Sequence, residues 1–177
     1  MVWIHYSENL IEKLLDDDAC IKQYFNFKPF GLWLSKDSEW LEWMESEMPE
    51  WIEEVNYIYK ISIKKDANLL KISSFKDVVE LHNKYMVKAN FVNPPEIWND
   101  KMFEPYLYFI NWEKVCQDYD GIIFTNYRKI QEKIRKISEN NKQYRTEYAW
   151  YHTLDINSAC IFRPSKVVSK FELIYKN

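Results

Sequence analysis

Glu54-Val55-Asn56-Tyr57-Ile58-Tyr59-Lys60-Ile61-Ser62-Ile63-Lys64 alternates without a break. Val55, Tyr57, Tyr59, Ile61 and Ile63 fall on one side of an extended chain, with Asn56, Ile58, Lys60, Ser62 and Lys64 on the other. A period of two predicts a half-buried strand, and such a strand needs neighbours. Shorter apolar runs offer them at Val2–Ser7, Gly31–Ser35, Asn68–Ser73, Ile122–Thr125, Ala149–Leu154, Ala159–Phe162 and Phe171–Tyr175. Helical spacing appears between these runs, at Glu8–Asp17, Ser38–Ser46, Ser74–Tyr85, Asn111–Tyr119 and Arg128–Asn141. Ser7 and Ser38 are the expected N-caps of the first two helices, and Pro49 ends the second. Cys20–Phe30 reads as irregular, and Asn93–Tyr108, with three prolines, as a packed loop. Strands and helices do not alternate regularly, which predicts an α+β fold rather than a doubly wound parallel sheet.

The chain has 177 residues, with 24 basic and 27 acidic side chains and a formal charge of -3. That length suits one domain spanning 1–177, large enough to bury a core without staples. The charge balance excludes a uniformly basic nucleic-acid surface but permits a local patch. No apolar run approaches the roughly 18 residues of a membrane span. The start, Met1 to Tyr6, lacks the basic and apolar regions of a signal peptide. The three cysteines, Cys20, Cys116 and Cys160, are scattered and form no CxxC pair, so buried reduced thiols in a reducing compartment are expected. The histidines His5, His82 and His152 show no zinc-binding spacing, and no metal is expected. There is no GxGxxG, P-loop or nucleophile elbow.

Aromatic residues make up 18%, mostly as core volume. Glycine occurs twice, at Gly31 and Gly121, each just before an apolar run. A chain that avoids glycine keeps it where a side chain would do harm. Asp16-Asp17-Asp18 reads as a solvated turn, His82 as helix packing, and the cluster Tyr148 to His152 as core or a pocket wall. An acidic stretch runs from Asp37 to Glu54. A basic one runs from Arg128 to Arg145, broken by Glu132 and Glu139. Both fit solvated faces, and the basic one also fits a docking surface for an acidic or phosphate-bearing partner.

His5-Tyr6-Ser7 followed by Lys28-Pro29-Phe30-Gly31-Leu32-Trp33-Leu34-Ser35 resembles the opening of the ADP-ribosyltransferase fold of the poly(ADP-ribose) polymerase and diphtheria-toxin type. There one strand carries HG(S/T) and a later one GKGIYFA/S. Tyr119-Asp120-Gly121-Ile122-Ile123-Phe124 is similar to the family's YDGII strand, and Ser158 to Val167 to its EYVVFDPSQI strand. The resemblance implies a small split antiparallel or mixed sheet flanked by short helices. It implies NAD as substrate, with cleavage of the nicotinamide–ribose bond and transfer of ADP-ribose to a macromolecule. His5 takes the ribose role, and Trp33 replaces the stacking tyrosine. Tyr6, Ser7, Gly31 and Ser35 line the cofactor cleft. Ser158 stands where the family has its late glutamate, and Asp155, Asn157 or Asp120 could supply the missing polar group. Tyr6 stands at the family's glycine. An acidic protein or a nucleic acid would dock near Arg128–Arg145, with no membrane involved. The setting implied is the cytosol, or delivery into a host cell as an effector or toxin. Two rival readings remain at this point: a non-catalytic module whose aromatic cleft binds a nucleotide or peptide, and a structural domain in which Trp33 is fully enclosed.

Overall fold

A computed structural model describes residues 2–16, 23, 27–90 and 106–177. The alternating segment forms β3 (Tyr57–Ile63), with Tyr59 and Ile61 buried as its period requires. Around it lie β1 (Trp3–Ser7), β2 (Leu32–Lys36), β4 (Leu69–Ile72), β7 (Gly121–Phe124), β8 (Ser158–Ile161) and β9 (Val168–Lys176). β5 (Met86–Asn90) and β6 (Tyr106–Ile110) form a separate antiparallel ribbon. The helices are α1 (Glu39–Glu47), α2 (Phe75–Tyr85), α3 (Trp112–Asp118), α4 (Tyr127–Asn140), α5 (Lys142–Glu147) and α6 (Pro164–Val167). The main sheet has seven strands in the order β4-β7-β8-β2-β1-β3-β9, so it is larger than the small sheet expected. Among the described strands only β4 and β7 are parallel; their link passes through α2, as a parallel pair requires. The class is therefore α+β with one large mixed sheet.

Side chains alternate across this sheet and bury two cores. On one face Ile122, Phe124 and Cys160 pack against α2, α3 and α4 through Val78, Val115, Ile130 and Ile134. On the other, Trp3, Leu34, Tyr59, Ala159 and Ile161 form a smaller cluster with Val167. α2 is fixed at its start by a capping box between Ser74 and Asp77. Burial resists ionisation of Asp77, but hydrogen bonds from Ser73 and Ser74 outweigh it and hold the carboxyl below its ordinary range. In α4, Tyr127, Ile130 and Ile134 point inward while Arg128, Lys129, Lys133 and Arg135 are exposed, an amphipathic stripe of helical period.

Several expectations are corrected. Residues 8–16 of the expected first helix are irregular. The Ile11 amide donates to the Tyr59 hydroxyl, and the Ser7 carbonyl, its partner in an i to i+4 ladder, accepts from the Asn56 amide instead, so the first helical bond cannot form. So short a helix is marginal without packing, and Leu10 and Leu15 stay exposed. Asp16 is not merely solvated, because its carboxylate accepts from the Ser165 amide at 2.8 Å. Ala149–Thr153 is a 3₁₀ helix instead of a strand, with Trp150 and Tyr151 buried. Tyr106 to Tyr108, read as loop, belong to β6; residues 91–105 lie outside the described residues. Cys116 is disulfide-bonded, against the expected reduced thiol, whereas Cys160 is free and buried. Cys20 lies outside the described residues, as do Asp17 and Asp18. Among the described residues, no helix is long and apolar enough to cross a membrane.

Candidate functional site

β1 and β2 pair only at Trp3↔Lys36 and Ile4↔Ser35. Beyond that point β1 stays with β3 as far as Ser7↔Tyr57, and β2 stays with β8 as far as Leu32↔Ile161. The sheet therefore splits between β1 and β2. A cavity of about 310 Å³ fills the split. Its walls take three consecutive residues from each strand, Ile4-His5-Tyr6 and Trp33-Leu34-Ser35. Neighbouring side chains of one strand point to opposite faces, so this lining means the cavity enters the plane of the sheet. Trp40, Leu154, Ile156 and Ser158 complete the inner wall, with Lys28 also on the lining.

Where the ladder is missing, the His5 ring replaces it: Nδ1 lies 2.8 Å from the Trp33 carbonyl oxygen. A carbonyl only accepts, so Nδ1 carries the proton. Burial lowers the proton affinity of His5, and the backbone bond offsets this only in part. The ring is thus neutral, and its Nε2 is an acceptor for a ligand hydroxyl. Trp33 is held by its own donor, since Nε1 donates to the Pro29 carbonyl at 3.1 Å. Its indole is half-buried on the cavity wall, contrary to the fully enclosed Trp33 of a purely structural domain.

Ser35 and Ser158 face each other across the β2–β8 ladder. They are 4% and 3% exposed, and neither hydroxyl makes a hydrogen bond of ordinary geometry. Buried hydroxyls normally have partners. Both line the cavity, so a polar ligand group is one way to supply them. The Tyr6 phenol also lines it. Burial raises its proton affinity, Ser35 opposes that shift without closing a full bond, and Glu42 adds to it. No carboxylate among the described residues lines the cavity. Among the described residues, no group of three or more His, Cys, Asp or Glu side chains could hold a metal ion.

The expected site residues thus divide. His5, Tyr6, Trp33, Ser35 and Ser158 share the cleft. Ser7 lies beyond it and bonds Asn9. Gly31 is also outside. A Cβ there would lie 2.7 Å from the Ile161 carbonyl oxygen and 2.8 Å from Cys160 Sγ, so packing against β8 explains the glycine. Asp155 does not line the cleft; its carboxylate pairs with Lys28 at 3.2 Å and faces the neighbouring grooves. Its backbone has φ 65°, a left-handed conformation that aspartate tolerates. Asn157 is committed to structure, bonding Glu39 through Nδ2 and accepting from the Tyr127 amide. Asp120 pairs with Arg163 at 3.1 Å, away from the cleft. Burial pushes the Cys160 thiol up, which removes it as a nucleophile. His82 packs against Tyr148, as expected of a core histidine.

Two features beside the cleft carry no sequence motif of their own, Lys28 and a three-tryptophan cluster. Trp40 and Trp43 stack with centroids 4.8 Å apart, and Trp51 leans on both. Their spacing of i, i+3 was visible, but it predicts an inward stripe, and in α1 only Met44 is buried. No protein-family model, curated protein or solved structure matches the chain.

Proposed function

We propose that this chain is an ADP-ribosyltransferase-like protein that takes NAD as substrate and transfers ADP-ribose to a macromolecular acceptor. The observation that carries the reading is the convergence of His5, Trp33 and Ser158 on one cleft where the sheet splits. Trp33 offers a flat apolar wall to the nicotinamide ring. Nε2 of His5 accepts from a ribose hydroxyl, and the Ser35 and Ser158 hydroxyls meet polar atoms deeper in. Bond cleavage sends the glycosidic electron pair to the nicotinamide nitrogen, which becomes neutral. The positive charge moves to ribose C1′, which an acceptor nucleophile then attacks with loss of its proton. Ser158 and Ser35 present hydroxyl dipoles to that charge. The acceptor docks beside the cleft, near the basic stretch that runs from Arg128 in α4 to Arg145 in α5, the side chain of the latter lying outside the described residues.

That no carboxylate lines the cavity among the described residues favours a second reading, a module that holds a nucleotide without turning it over. One experiment separates the two: NAD labelled in its nicotinamide is incubated with the chain, and released nicotinamide is measured beside calorimetric binding. The transferase reading expects release above background that falls at least about tenfold in His5→Ala and Ser158→Ala. Binding without release supports the module. Neither binding nor release overturns both.

A further inference from the structure

A second groove of about 520 Å³ lies beside the cleft, between α1 and α4, with Trp43 on one wall and Arg128, Gln131 and Arg135 on the other. The three α4 residues sit at i, i+3 and i+7, one face of the helix. The two carboxylates in the groove are already paired, Glu132 with Lys136 at 2.7 Å and Asp155 with Lys28 at 3.2 Å. Arg128 and Arg135 have no ion-pair or hydrogen-bond partner among the described residues; Arg135 influences Glu132 only through charge. The groove therefore holds two guanidinium groups with no hydrogen-bonded partner among the described residues, about 10 Å apart along the helix. His152 also lines it. At the α1 end, Glu39, Glu42 and Glu47 line the adjoining pocket together with Arg128.

We propose that the groove binds a single-stranded nucleic acid, with its phosphates on Arg128 and Arg135 and a base against Trp43. A backbone anion needs guanidinium partners, and an unpaired base gains from an aromatic wall. The Trp40 stack holds the Trp43 indole in place. The glutamate end decides against an acidic polypeptide, whose carboxylates would be repelled there. A nucleic acid instead sets its anions apart from bases that carry N–H donors, and carboxylates accept from those donors. As the acceptor of ADP-ribose the strand rests on the reading above; as a ligand of the groove it does not.

The test titrates the full chain into a fluorescein-labelled single-stranded oligonucleotide of about a dozen nucleotides, followed by anisotropy at several salt concentrations. The Arg128→Gln, Arg135→Gln double variant is expected to bind at least about tenfold more weakly. Its log–log salt slope should shrink by about 1.4, for two lost phosphate contacts. Lys129→Gln, Lys133→Gln removes equal charge from another face of α4 and is expected to cost less than about threefold. Equal losses in the two double variants would reduce the binding to diffuse attraction and overturn the groove, as would no binding by the wild type at low salt. Displacement of the oligonucleotide by poly-glutamate at equal charge concentration would overturn the choice of ligand. Nicotinamide release is read separately, so oligonucleotide binding without release sinks the transferase reading and leaves the groove.

Discussion

Ser35 and Ser158 are the residues whose energetics most clearly separate structure from function. Each has a hydroxyl removed from water without a full hydrogen bond in return. Burying such a group costs stability, so removing it is neutral or favourable for folding. Ser35→Ala and Ser158→Ala are therefore expected to unfold at the wild-type temperature or slightly above, a change of about 0–1 kcal/mol. Ligand affinity should move the other way, by roughly five- to tenfold per hydroxyl, the equivalent of about 1 kcal/mol. Thermal melts and NAD calorimetry on the same variants check both signs. Loss of stability with unchanged affinity would show that the hydroxyls serve the fold and would refute their role in the cleft. His5, Tyr6, Trp33, Ser35 and Ser158 of this cleft could be named from sequence because each belongs to a short strand motif: His5-Tyr6-Ser7, Gly31 to Ser35, Ser158 to Phe162. Which of them face the cavity could not be read, since that depends on where the β1–β2 ladder stops. Asp155 shows the difference: three residues from Ser158 in sequence, it turns to Lys28 and the neighbouring grooves.

Strand β8 sits between β7 and β2, and both glycines of the chain press on it. Gly31 adjoins Ile161 from the β2 side, and Gly121 pairs with Ile161 from the β7 side. A Cβ on Gly121 would lie 2.9 Å from the Cys160 carbonyl oxygen and 2.9 Å from Leu69 Cδ2. Backbone on one side leaves little room to yield. Gly121→Ala and Gly31→Ala are each expected to destabilise by about 1–3 kcal/mol, the usual range for overpacking, measured as a lower urea midpoint with unchanged slope. A smaller loss would mean that β8 can shift, and the packing account of the glycines would fail. The scarcity of glycine pointed to both positions, and the strands that follow them were legible from their apolar runs. Other elements were hidden for reasons of packing. Ala149–Thr153 is aromatic enough to read as a strand, yet Trp150 and Tyr151 are buried from a 3₁₀ turn against Trp112 and Tyr127. The β5–β6 ribbon escaped notice because its strands flank a proline-rich stretch and, among the described residues, pair only with each other. The helix expected after β1 failed because its first amide, that of Ile11, is held by the Tyr59 hydroxyl while Leu10 and Leu15 stay exposed.

At the scale of the whole molecule, two histidines tie stability to pH. His5 is neutral in the cleft because burial lowers its proton affinity more than its backbone bond raises it. His82 is buried against Tyr148 and Tyr108, and burial again lowers its affinity, with the Glu147 charge opposing. Unfolding returns both rings to an ordinary value near 6.5. Below that value the unfolded chain binds protons that the folded chain refuses, so stability falls with pH. The contribution is complete above about 6.5 and is lost as the pH drops toward the lower folded values. Melts at about pH 7.5 and about pH 5.5 should show a clear fall in the wild type. His82→Phe, which cannot titrate, should show a smaller fall; a flat wild-type profile would contradict the neutral burial of both rings. His5 links the same titration to the cleft. A protonated ring turns Nε2 from acceptor to donor, so it can no longer receive a ribose hydroxyl's proton. Nucleotide affinity is therefore expected to weaken over the acidic window in the wild type and in His82→Phe alike. That shared loss, set beside their different melts, separates the histidine of the cleft from the histidine of the core.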